Sequence, residues 1–213
     1  MNNDFNAELE CPTAETKARL TRDLNLKEAD AFMQDWEYEI SNVAQLEDYV
    51  NYYRDNELNA NEKSTLMRII LDAYNFYVYE VEAQEDIYKE TIRGFLIKDY
   101  SVQKPNIIYW ACGDEDFEDC FYISPLIREI RDKMTLNEEF MIVLSAELKR
   151  SPNDLDKPYE YLCEFRDRGM DKDSMYENLE KLRMSCDSEA EEDTVLELMD
   201  FVSGWCSPHC SIF

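Results

Sequence analysis

Residues 59–79 read NANEKSTLMRIILDAYNFYVY, and this stretch decides the fold. Asn59 followed by Glu62 three residues later is the spacing of a capping box, in which each side chain bonds the other residue's backbone N–H. Leu66, Ile69, Ile70, Ala73 and Tyr77 then recur every three or four residues, which sets them on one helix face. From Tyr74 to Tyr79 the segment is apolar nearly all round. A helix of that kind is either buried on every side or offers its second face to a partner.

The same period runs outward in both directions. Ala29, Phe32, Met33, Trp36 and Ile40 share a face, and Asn25 with Glu28 predicts a capped start for it. Val43, Leu46, Val50 and Tyr53 make a second stripe behind Ser41, and Ile87, Thr91 and Leu96 another. Pro105 suits the first turn of a helix through Ile107, Ile108 and Trp110. Ile107–Trp110 also reads as a short strand, but without a partner. Ser124-Pro125 starts a helix with Leu126, Ile127 and Ile130. Asn137, Glu138 and Glu139 open the next, through Phe140, Met141, Val143, Leu144 and Leu148. Pro158 begins one with Tyr161, Leu162 and Phe165 that Gly169 stops; Asp171 caps one with Met175, Leu179 and Leu182. Val195, Leu198, Met199 and Val202 form the last, closed by Gly204. Only 4 Gly and 6 Pro occur, too few for the turns of a β-sandwich. The expected fold is all-α, a compact bundle of about nine to eleven short amphipathic helices.

Residues 1–24 show no clear period and read as a loose arm or a short helix. Ser151-Pro152-Asn153-Asp154 is the best turn cluster, so the one linker is expected at 150–157. Lobe one is then 25–150 and lobe two 151–213, packed on the first or part of one domain with it. The segment 48–55, DYVNYYRD, is echoed by 160–167, EYLCEFRD, with Leu58-Asn59 and Met170-Asp171 at the same offset. Two related helical hairpins follow from that match, with chance similarity between two amphipathic helices as the alternative.

Acid dominates the composition: 48 Asp and Glu stand against 22 Lys and Arg, a formal charge of −26 on 213 residues. Such a surface repels phosphate and argues against direct nucleic-acid binding. It steers a basic partner toward itself. Hydrophobic residues make up 45%, enough for a core rather than a disordered tail. No apolar run approaches a membrane span and no secretory signal opens the chain. The 7 Cys, odd in number and irregularly spaced, fit reduced thiols, so a soluble, cytoplasmic protein is expected.

Catalytic motifs are absent. With so few glycines no phosphate-cradling loop can be written. Cys206, His209 and Cys210 offer zinc donors, and Cys163 or Cys186 would have to complete a four-ligand site. The loose spacing instead reads as a helix stop whose aromatic and Cys residues pack on the core. His209 is the single His, which leaves little room for a Ser-His-Asp or Cys-His constellation. The acidic run 114–119 lacks the glycine and final glutamate of a calcium loop. We therefore assign no catalytic residue, no cofactor and no metal. The charge that remains concentrates in two runs where helices break. Asp114, Glu115, Asp116, Glu118 and Asp119 bracket Phe117, with Phe121 and Tyr122 just beyond; Glu189, Glu191, Glu192 and Asp193 form the second run. Acids around an aromatic anchor are a partner-binding pattern, the ring filling a pocket and the charges setting association rate.

In size, acidity, helicity and lack of catalytic motifs the chain resembles immunity proteins of bacterial toxin–immunity systems. That resemblance covers general character over the whole chain and implies a basic cognate toxin domain, probed through a tight contact in one cytoplasm. The expected function is to neutralise such a partner, with a nucleic-acid-acting toxin's positive cleft covered by carboxylates. A DNA-mimic inhibitor of DNA-binding proteins and a helical metal-dependent hydrolase are the alternatives.

Overall fold

The computed structural model describes residues 9, 11–29, 33, 35–81, 86–113 and 115–213, excluding the side chains of Val81 and Phe117. The protein is all-α. Ten α-helices occur among the described residues: α1 (Ala14–Leu24), α2 (Trp36–Glu39), α3 (Leu46–Asp55), α4 (Ala60–Val81), α5 (Lys89–Lys98), α6 (Tyr100–Trp110), α7 (Ser124–Arg150), α8 (Asp156–Asp167), α9 (Lys172–Met184) and α10 (Glu189–Ser203). No strand is found among them, and no helix is long and apolar enough to cross a membrane.

The chain divides into two units, Met1–Arg131 and Asp132–Phe213, at a point inside α7. The turn expected to be a linker, Ser151–Asp154, joins α7 to α8 within the second unit. The contact boundary falls within a continuous helix, so it carries no signature of turn residues.

In the first unit α4 packs on α1, α2, α3 and α6. Leu66, Met67, Ile69, Ile70, Leu71, Ala73 and Tyr74 are buried, more than one face can supply, because neighbours lie on several sides. Its start is the predicted capping box: Asn59 Oδ1 accepts from the Glu62 N–H at 3.0 Å and Glu62 Oε2 from the Asn59 N–H at 2.9 Å.

Such a helix must bury polar side chains too, and they are connected. Arg68 Nη1 lies 2.9 Å from Glu37 Oε1, and its Nε donates to Asn106 Oδ1 at 3.1 Å. Asn106 Nδ2 donates to Gln103 Oε1 at 2.7 Å and to the Ser64 carbonyl at 3.0 Å. Gln103 Nε2 donates to the Tyr53 hydroxyl at 3.0 Å; that hydroxyl donates to Asp99 Oδ2 at 2.9 Å, and Lys63 Nζ reaches Asp99 Oδ1 at 2.5 Å. Burial, then Asp99, pushes the Tyr53 hydroxyl far above its ordinary range, so it acts as a donor. The chain of bonds clamps α6 onto α4 and fixes where the end of α6 emerges.

The second unit has its own core. Phe140, Leu144 and Leu148 of α7 pack with Leu162, Phe165, Met175, Leu179, Val195, Leu198 and Val202 from α8, α9 and α10. Arg166 Nη1 donates to the Ile212 carbonyl at 3.0 Å and the Ile212 N–H to the Phe201 carbonyl at 2.9 Å, so the tail is tied down with Ile212 buried. Trp205, expected on the core, is instead 87% exposed.

The capping signals here are local and behave as predicted. Gly169 and Gly204 take φ of 98° and 87° at the helix stops. Asp171 Oδ1 accepts from the Ser174 N–H at 2.8 Å and Oδ2 from the Ser174 hydroxyl at 2.8 Å, with Lys133 Nζ at 3.1 Å. Burial alone would raise this carboxyl, but the Ser174 and Lys133 contacts outweigh it and hold it below its ordinary value. A carboxyl that is more acidic folded than unfolded stabilises fully above the unfolded value and less as pH falls through the folded one. Asp171→Ala is therefore expected to cost about 1 kcal/mol at neutral pH, a loss that shrinks in strong acid. Urea unfolding at the two pH values measures it; an equal cost at both would show that the charge is irrelevant.

Several expectations are corrected. Within the segment read as an arm, Thr13 caps α1 and Leu20 and Leu24 are buried. Asn25 does not start a helix but ends one, in the left-handed region at φ 52°; Asn serves both ends because it caps N–H groups and tolerates that conformation. The helix expected from 25 is only α2, and Phe32 of its stripe lies outside the described residues. Pro105 sits inside α6 rather than at its first turn. Asn137 opens no helix: α7 runs unbroken from Ser124 to Arg150, and Asn137 Oδ1 accepts from Asn178 Nδ2 at 3.0 Å. The echoed hairpins do share their local design. Arg54 Nε meets Asp55 Oδ1 at 2.9 Å and Arg166 Nε meets Asp167 Oδ1 at 2.9 Å, each just before the next cap.

Candidate protein interface

The acidic loop of the first unit leaves the end of α6 through two successive left-handed residues, Cys112 at φ 54° and Gly113 at φ 55°. A 3-10 turn, Phe117–Asp119, follows. Two arginines one turn apart on α7 hold the loop by its carbonyls. Arg128 Nε donates to Ala111 O at 2.7 Å and its Nη2 to Glu115 O at 2.8 Å; Arg131 Nη1 donates to Gly113 O at 3.1 Å. Glu115, Asp116, Glu118 and Asp119 stay exposed, and among the described residues none of the four is bridged to Lys or Arg. These contacts of Arg128 and Arg131 are to backbone carbonyls, and the described carboxylates of the loop, Glu115, Asp116, Glu118 and Asp119, face solvent. Asp114 lies outside the described residues, as does the side chain of Phe117.

The aromatic surface beside the loop comes from elsewhere. Trp110, buried at the end of α6, carries the Phe121 ring at 4.3 Å between centroids. Phe121 lies 5.6 Å from Tyr109, and Tyr109 lies 6.1 Å from Tyr38. Tyr122, next in sequence to Phe121, meets Tyr79 of α4 at 4.9 Å. The Ile123 N–H donates to Asn75 Oδ1 at 3.4 Å and pins this return of the chain to α4. Tyr79, Tyr109 and Tyr122 are 52%, 54% and 58% exposed. Tyrosine offers a large rigid face with a polar tip, which suits a surface that is wet when free and covered when bound.

The second acidic run lies in the other unit, on the first turn of α10, and much of it is explained by the helix. Ser188 Oγ caps the helix by accepting from the Glu191 N–H at 3.3 Å, and Glu191 Oε2 accepts from the N–H of Asp187, just before the cap, at 3.0 Å. Glu189, Glu192 and Asp193 are exposed beside a helix N-terminus that favours negative charge. The run itself holds no aromatic residue. The chain matches no protein-family model, no curated protein and no solved structure. The surface must therefore be read from its own chemistry.

Elsewhere the candidates are weaker. Among the described residues no group of three or more His, Cys, Asp and Glu is placed to hold a metal ion, Cys206, His209 and Cys210 included. A pocket of about 400 Å³ in the second unit is lined by Leu155, Asp156, Tyr159, Glu160, Phe201 and Cys210. Glu160 there is already bridged to Lys157 at 2.6 Å. What sequence reasoning missed was Tyr109: Ile107 and Trp110 are three residues apart on the buried face of α6, and Tyr109, between them, falls off that face and is exposed, a sign that the helical period carries.

Proposed function

We propose that the protein is an acidic binding protein, acting by contact rather than catalysis, that neutralises a basic partner in the cytoplasm. The partner fits best as a cognate nucleic-acid-acting toxin domain, so the function is that of an immunity protein. One observation carries this reading: exposed Tyr79, Tyr109 and Tyr122 lie beside a loop whose described carboxylates have no basic partner of their own. The rings supply a desolvated centre and the acids a steering rim, the usual division of labour at an interface.

The test uses the basic protein encoded in the adjoining reading frame and measures association and dissociation at several salt concentrations. The fourfold variant Glu115→Gln, Asp116→Asn, Glu118→Gln, Asp119→Asn is expected to lower the association rate about tenfold at low salt, with the difference closing as salt screens the charges. Tyr109→Ala and Tyr122→Ala act on dissociation instead. An association rate indifferent to both salt and amidation would sink the reading. Displacement of DNA from several unrelated DNA-binding proteins would replace it with DNA mimicry.

A further inference from the structure

Two thiols flank the acidic loop. Cys112 stands where the chain leaves α6 and Cys120 just after the 3-10 turn. The backbone doubles back between them: the Glu115 N–H donates to Cys112 O at 3.2 Å and the Asp119 N–H to Asp116 O at 3.0 Å. The Cys120 thiol donates to the Asp116 carbonyl at 3.2 Å. This folding brings Cys112 and Cys120 to one guanidinium: Arg128 Nη2 lies 3.5 Å from the Cys112 carbonyl. Arg128 Nη2 also lies 3.0 Å from Cys120 Sγ, from the same guanidinium that holds Ala111 and Glu115. Both cysteines are free and half-buried, so a small oxidant can reach them.

We propose that Cys112 and Cys120 are a redox pair, which a peroxide converts to a disulfide that closes the acidic loop. The chemistry balances with peroxide as the oxidant. Peroxide oxidises one thiol to a sulfenic acid and leaves as water; the second sulfur attacks it, the S–S bond forms, and the hydroxyl departs with the second thiol's proton as another water. Two electrons pass from the pair to the peroxide. Burial, foremost, raises the Cys120 thiol above its ordinary value and the Arg128 guanidinium offsets only part of that, so the pair is expected to oxidise faster as pH rises. The consequence for binding rests on the interface proposed above. A covalent tie across the base of the loop restricts its freedom and presents its carboxylates in one arrangement, which lowers the ordering cost of association.

The experiment takes the reduced full chain, adds hydrogen peroxide, alkylates the remaining thiols and maps the peptides. A linked Cys112–Cys120 peptide is expected to form before any pairing among Cys11, Cys163, Cys186, Cys206 and Cys210. In Cys120→Ser the link disappears and Cys112 becomes trappable by dimedone, while circular dichroism shows an unchanged helical fold. The pair is overturned if Cys112 and Cys120 are alkylated as free thiols after the other cysteines have oxidised, or if each links to a different cysteine. No partner is needed for this arm, so it stands or falls apart from the interface. With the basic partner bound, the linked form is expected to dissociate about tenfold more slowly than the reduced form; equal rates would overturn the effect on binding.

Discussion

Replacing Arg68 with Met is expected to destabilise the protein by about 3–5 kcal/mol. Arg68 and Glu37 are 6% and 7% exposed, and their ion pair spans 2.9 Å between α4 and α2. Removing the guanidinium leaves a buried carboxylate without its counter-charge and strips a donor from Asn106 Oδ1 and from the Leu9 carbonyl. The unmet acceptors dominate the loss, since methionine fills much of the same volume. The double variant Arg68→Met, Glu37→Met is therefore expected to recover the share of the loss that belongs to the unpaired carboxylate and not the share that belongs to Asn106 Oδ1. Urea unfolding of the two single variants and the double gives the coupling directly. A single-variant loss below about 1 kcal/mol would mean that water reaches Glu37 and that the network is not dry.

That ion pair also marks where sequence reasoning ran out. Glu37 and Arg68 lie 31 positions apart, and nothing local joins them. Charges on a helix read as a solvated face until the packing around them is known. Signals carried within a few residues fared better. Asn59 with Glu62, Ser124-Pro125, Gly169 with Asp171, and Gly204 each mark a real terminus because capping is settled within one turn. Asn137 misled because an Asn followed by two glutamates is compatible with a helix interior when neither Gly nor Pro intervenes. Asn25 misled because one side chain suits either end.

The candidate interface was legible by half. Its carboxylates are visible as a run, and exposure is the default for charge. Tyr122 was recognisable as aromatic company for the run and Tyr79 only as part of the apolar segment 74–79, whereas the exposure of both was not. A segment apolar all round states that two faces can be covered without stating which one is. The structure resolves this by burying Tyr74 and leaving Tyr79 out. The −26 charge thereby gains a location: most of it decorates helix surfaces, and the loop at 115–119 is where it stands beside exposed rings.

Phe165→Ala is expected to cost about 3–5 kcal/mol, the range for emptying a large aromatic site in a core. Phe165 is fully buried and meets Phe140 edge-on, with centroids 5.1 Å apart at 86°. Arg168 lies over the same ring with its guanidinium carbon 4.8 Å from the centroid, so truncation also uncovers a cation–π contact. Phe165→Leu keeps most of the volume and is expected to lose about 1–2 kcal/mol. Where the loss appears matters as much as its size. The core around Phe165 draws on α7, α8, α9 and α10 and is separate from the buried set on α4. Native-state hydrogen exchange of Phe165→Ala is therefore expected to show lost protection in Asp156–Asp167, Lys172–Met184 and Glu189–Ser203, with the amides of Leu66 to Ala73 unchanged. Equal loss in α4 would mean that the division inside α7 does not separate two cooperative cores, and that the helix running through Arg131 and Asp132 unfolds them together.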